Sequence, residues 1–118
     1  MRIGLISDTR IPGTAKEVPP QVTRAFEGVD LILHAGGIYV PAVLDLLEHI
    51  APVKAAGRTM GDRSERPEFF ATECPGDPRV AEHHVFQIEG HTIGLAHELW
   101  LPRLSDDIIP GVLGARRR

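Results

Sequence analysis

The chain has 118 residues, 42% hydrophobic and 25% charged, the ordinary balance of one globular domain with a core of its own. A formal charge of −3 gives no electrostatic reason to expect nucleic acid or an anionic membrane as a partner, and no apolar run nears the roughly 18–20 residues that cross a bilayer. Cys74 is the single cysteine, which excludes an intramolecular disulfide and a cysteine-based zinc site and makes a reducing, cytoplasmic setting the expectation.

Arg2-Ile3-Gly4-Leu5-Ile6-Ser7 is a short, nearly continuous apolar run, suited to a strand covered on both faces. Acidic Asp8 follows it closely, so no secretory leader is expected. Arg10 to Val18, with Pro12, Gly13 and Thr14, reads as a loop. Pro19-Pro20 then opens a helix with Val22, Ala25 and Phe26 on one face. Val29 to Leu33 is a second strand of the buried type, and Pro41 opens a second helix with Val43, Leu44, Leu47 and Ile50 along one stripe. Pro52 to Ala56 gives a third strand. Strand, helix, strand, helix, strand with right-handed crossovers predicts a parallel sheet.

Residues 58–80 carry Pro67, Pro75, Gly76 and Pro78 among many charges and read as an irregular insertion, with one short helix near Glu65–Ala71. Val85 to Ile88 and Thr92 to Ala96 flank Glu89-Gly90-His91, a β-hairpin signature. From Leu99 on, Pro102, Pro110 and the short run Ile108-Ile109 mark a tail. Its end, Arg116-Arg117-Arg118, reads as a solvated basic terminus.

Chemistry is expected at the strand ends, because ligands of open α/β sheets gather beyond the C-terminal ends of the strands. Those ends are Ser7-Asp8-Thr9-Arg10, His34-Ala35-Gly36-Gly37, Gly57-Arg58-Thr59-Met60 and His97-Glu98. Taken alone, Asp8 suits a turn cap, His97 a hydrogen-bonded histidine at a strand terminus, and Trp100 a packed side chain. His83, His84 and His91 sit close to the hairpin turn and are expected to be exposed.

Read in order, MRIGLISDT, VDLILHAGG, APVKAAGR and IEGHTIGLAHE resemble the calcineurin-like metallophosphoesterases, in particular their small prokaryotic phosphodiesterase branch, which includes relatives of the retromer scaffold subunit. The resemblance covers residues 1–58 and 84–98. It implies an α/β fold, a β-sandwich flanked by helices in four layers (αββα) and shortened at its C-terminal part. It also implies one domain over 1–118, with the insertion at about 58–80 and the tail at about 102–118. The family pattern is Asp-x-His after the first strand, Gly-Asp after the second, Gly-Asn after the third, then a lone His and a Gly-His-x-His. These residues hold two divalent metals, with the Asp of Gly-Asp shared between them.

Carried over, Asp8 matches the first aspartate and His97 the lone histidine, as remnant metal ligands. Arg10 stands in place of the first histidine, Gly37 in place of the shared aspartate and Arg58 in place of the asparagine, and no Gly-His-x-His occurs. Without the shared carboxylate, and beside two permanent positive charges, a metal pair is poorly held. The resemblance therefore implies a protein that keeps the fold, has lost or strongly reduced two-metal hydrolysis, carries no cofactor and acts as a binding or scaffold module. Two alternatives stay open. An active phosphodiesterase or phosphatase would hold Mn, Mg, Ni or Zn with Asp8, His97 and some of His34, Asp62, Glu98 and the hairpin histidines. An anion-binding protein would offer Arg10 and Arg58 as paired guanidinium groups to a phosphate. The expected partners are a phosphate-containing small molecule or a protein, not nucleic acid or membrane. The hairpin's open edge adds an expectation of a homo-oligomer.

Overall fold

The computed structural model describes residues 1–11, 17–57, 74 and 76–97. The first element, β1 (Ile3–Ile6), is followed by α1 (Pro20–Ala25), β2 (Leu31–His34), α2 (Pro41–Glu48) and β3 (Val53–Ala56), the alternation that the apolar runs predict. Neither helix has a side-chain N-cap, and each has proline in its first turn. Proline loses nothing there, since the amide it lacks would have had no partner within the helix.

A short strand β4 (Val80–Ala81) comes next, then β5 (His83–Ile88) and β6 (His91–Ala96). Four strands form one parallel sheet in the order β1-β2-β3-β4, and β5 and β6 form an antiparallel pair. The sequence reading does not foresee β4, which begins at residue 80, the last of the stretch read as an irregular insertion with one short helix. Val80 pairs with Ala55 and Ala81 with Ala56, through Ala55 N–H to Arg79 O at 2.9 Å and Gly57 N–H to Ala81 O at 2.8 Å. The strand exists because β3 offers it a free edge; its own composition carries no strand signal. Arg79 just before it is anchored by ion pairs to Asp77 at 2.7 Å and, from α2, to Asp45 at 2.9 Å. The helix expected near Glu65–Ala71 and the tail at 102–118 lie outside the described residues.

Sequential parallel strands joined by right-handed crossovers leave both helices on one face of the sheet. The packing agrees. Val43, Leu44 and Leu47 of α2 share one buried cluster with Ile32, Val53 and Ala55, and Val22 and Phe26 pack against it. The opposite face is covered by the hairpin, where Leu33, Ala56 and Leu95 form a second cluster with Phe86 and Ile93 at its border. The described residues thus give helices, parallel sheet and second sheet in that order, an α/β fold with two sheets face to face. The expectation of a fourth layer falls outside them.

The hairpin turns on Glu89 and Gly90, with φ of 50° and 81°; positive φ at both central residues is the two-residue turn whose twist suits a hairpin. Its strands register from His83 opposite Ala96 to Ile88 opposite His91. His83 and His91 are exposed as expected, but His84 is not. It alternates with Phe86 and Ile88 onto the less exposed side of β5, stacks on Phe86 with ring centroids 5.4 Å apart, and its Nε2 lies 2.8 Å from Ala55 O. That bond ties the two sheets together.

Candidate functional site

β1 and β2 run side by side, Ile6 opposite His34, so the residues that leave them emerge at one place. The pairing continues past the strands. Ala35 N–H donates to Ile6 O at 2.8 Å, Asp8 N–H to Gly36 O at 2.7 Å and Arg10 N–H to Gly37 O at 2.9 Å. Asp8 and Arg10 both take left-handed backbone, with φ of 55° and 48°, a costly conformation for residues with a side chain. The two carbonyls of the facing loop hold them there.

From the second sheet, His97 reaches the same loop: its Nδ1 is 2.8 Å from Ala35 O. A carbonyl only accepts, so Nδ1 carries a proton and is the donor. Three successive carbonyls, of Ala35, Gly36 and Gly37, therefore receive hydrogen bonds from His97, Asp8 and Arg10 in turn.

The loop has no room for side chains of its own. Gly36 and Gly37 have φ of +107° and +75°; a Cβ on Gly36 would run into the His97 imidazole, and one on Gly37 would stand 2.6 Å from Asp8 Oδ1 and 2.8 Å from Asp8 Cα. The Asp8 carboxylate receives Arg10 Nη2 at 3.3 Å, with both side chains about half exposed. At that distance and exposure the pair is worth at most about 1 kcal/mol.

His34, at the end of β2, is wholly buried. Its Nδ1 accepts the Gly36 N–H at 3.1 Å, and its Nε2 lies 3.0 Å from Thr9 Oγ1. The Thr9 hydroxyl reaches Gly37 O at 3.4 Å. Burial pushes the imidazole down to about 4, against the opposing pull of the Asp8 carboxylate, while His97 adds to the depression. A neutral ring with both nitrogens engaged is a structural link and not a free ligand.

The structure thus brings Asp8, Arg10, His34 and His97 of the expected site residues to one loop. Arg58, Asp62 and Glu98 lie outside the described residues. His83, His84 and His91 belong to the hairpin, with His84 occupied by Ala55. Sequence reasoning missed the row of carbonyls and the part that Thr9 plays in it. The signal was the Gly36-Gly37 pair, since adjacent glycines at a strand end mark close approach of another part of the chain.

A divalent metal pair does not fit the described residues. Among them no three His, Cys, Asp or Glu side chains stand close enough to hold one ion, and at the position of the shared carboxylate the chain has Gly37, filled against Asp8.

The model of the calcineurin-like phosphoesterase superfamily domain matches residues 1–111. A probable metallophosphoesterase of Methanothermobacter thermautotrophicus is 41% identical over 103 residues, 87% of this chain and 53% of that protein. Among solved structures, vacuolar protein sorting 29 from Cryptosporidium parvum superposes with a TM-score of 0.62 at 24% identity, covering 98% of this chain and 57% of that one. Vps29 of Chaetomium thermophilum does so with 0.60 at 19%, covering 98% and 55%. The chain spans little more than half the length of each of these proteins.

Proposed function

The chain belongs to the calcineurin-like phosphoesterase superfamily, and on that premise we propose that it keeps the fold and acts as a binding or scaffold module while two-metal hydrolysis is lost or strongly reduced. The observation that carries this reading is Gly37. Two cations held a few ångströms apart repel, and a carboxylate shared between them offsets the repulsion. Here the matching position has no side chain, and its Cα faces Asp8 too closely to bear one. Arg10 adds a positive charge 3.3 Å from the remaining carboxylate, which opposes a cation at the same place.

The test is metal analysis of freshly purified protein, with hydrolysis of an aryl phosphodiester in added Mn²⁺. Substoichiometric metal and turnover at the level of buffer are expected. Two metal ions per chain, with turnover abolished by Asp8→Ala, would instead establish an active enzyme with a rearranged site.

A second reading, anion binding, is favoured by the half-exposed Arg10 guanidinium at the mouth of β1. It predicts that phosphate raises the melting temperature of the wild type and not that of the Arg10→Ala/Arg58→Ala double variant. An equal rise in both would remove it.

A further inference from the structure

The histidine that ends β2 touches none of Asp8, Arg10 and His97 through a hydrogen bond, yet it controls the loop that holds all three. Gly36 N–H can only donate, so His34 Nδ1, 3.1 Å away, must be the bare nitrogen and Nε2 must carry the proton. That proton points to Thr9 Oγ1 at 3.0 Å, and the hydroxyl in turn donates to Gly37 O at 3.4 Å. The direction of every bond in the chain is fixed by its first donor. One ring thereby clamps the loop after β2, at Gly36, to the loop after β1, at Thr9, the residue between Asp8 and Arg10.

We propose that His34 is the positioning residue of the strand-end site, setting the Ala35–Gly37 carbonyl row so that His97 donates through Nδ1 and, as the neutral ring, keeps its Nε2 open as an acceptor. The ring has no exposed surface, so it acts through the loop and not on a bound molecule. An apolar replacement would leave the Gly36 N–H buried without a partner, and the loop would move to satisfy it. Because Ala35 O and the Gly36 N–H belong to the same rigid peptide unit, the bond to His97 Nδ1 at 2.8 Å is the first to feel the shift. This role stands whether the pocket hydrolyses, binds or does neither.

The experiment is nitrogen NMR of protein labelled with ¹⁵N-histidine, reading the His97 ring nitrogens near neutral pH. In the wild type they should show one protonated Nδ1 and one bare Nε2, well separated in shift. His34→Leu should collapse that separation towards the average of a freely exchanging ring. His34→Asn puts an amide oxygen where Nδ1 was and should restore the wild-type signature, whereas His34→Gln puts its amide at the Nε2 position and should not. A folded His34→Leu protein with wild-type His97 signals would overturn the proposal. If the leucine variant does not fold, equal His97 signatures in the asparagine and glutamine variants would overturn it as well.

Discussion

Gly37 is packed on Asp8 so tightly that a side chain at one position excludes the present backbone at the other: the missing Cβ would lie 2.8 Å from Asp8 Cα. A contact with a side-chain tip can be relieved by a rotamer change, but one with a backbone atom needs the loop to move. The loss of the shared carboxylate is therefore built into the path of two loops. It is not a vacancy that one substitution refills.

Gly37→Asp accordingly should not recover a metal pair. It is expected to lower stability by about 1–3 kcal/mol, the range for a strained backbone position, and to leave Mn²⁺ binding by calorimetry no stronger than in the wild type. Two tight Mn²⁺ sites in the variant would show that the loop yields more readily than its contacts imply.

The neighbouring glycine separates two costs that are often confused. Gly36 and Gly90 both have positive φ, so alanine at either pays the left-handed backbone penalty of about 1–2 kcal/mol. A Cβ on Gly90 meets nothing within 4 Å, while one on Gly36 strikes the His97 ring. Urea unfolding should therefore find Gly36→Ala less stable than Gly90→Ala by a further ~1–3 kcal/mol of overpacking. Similar values for the two would mean that His97 swings away freely.

The His34 ring makes stability depend on pH in a window of its own. Its folded pKa of about 4 lies below the ordinary 6.5, so between those values the unfolded chain binds the extra proton and stability rises with pH. The contribution is complete above about pH 6.5, falls as the pH drops towards 4, and changes no further below that. At ~1.4 kcal/mol per unit the loss is on the order of 3 kcal/mol. Asp77, held below the ordinary carboxylate range by its bond to Arg79, contributes stability that is lost as the pH falls further, towards and below the ordinary carboxylate range. Comparing urea midpoints at about pH 7.5 and about pH 4.5 should show the drop in the wild type and a smaller one in His34→Asn. The same drop in both would assign it to other groups.

The elements that sequence made legible are those defined by their own residues. β1 and β2 follow apolar runs, β3 follows a weaker one broken by Lys54, both helices start on proline, and Val43, Leu44 and Leu47 fall on the buried stripe of α2. What was hidden depends on a partner far along the chain. β4 has two residues and exists by pairing with β3. The partial burial of His84 follows from its alternation with Phe86, a signal that its closeness to the turn obscured. His34 read as a candidate ligand because a histidine at a strand end suits metal chemistry. Both of its nitrogens are taken, and which atoms take them depends on the φ angles of the glycines after it and on Thr9 in another loop.

The side of the sheet that faces the hairpin leads to a final prediction, because two residues opposite one another in register meet opposite surroundings. Leu5 of β1 pairs with Leu33 of β2; Leu33 is 2% exposed and Leu5 is 71% exposed. A groove of about 410 Å³ opens between β1 and β6, with Leu5, Leu33, Ile93 and Leu95 in its walls. Leu33→Ala should cost about 2–5 kcal/mol through lost burial and the cavity left behind, whereas Leu5→Lys should stay within about 0.5 kcal/mol. Among the described residues β1 is an edge strand, and a lysine on such an edge discourages pairing with another chain. If the expected homo-oligomer forms through this strip and not along the hairpin's edge, sedimentation of the wild type should shift with concentration and that of Leu5→Lys should not. Association unchanged by the lysine would place the contact between copies elsewhere on the surface.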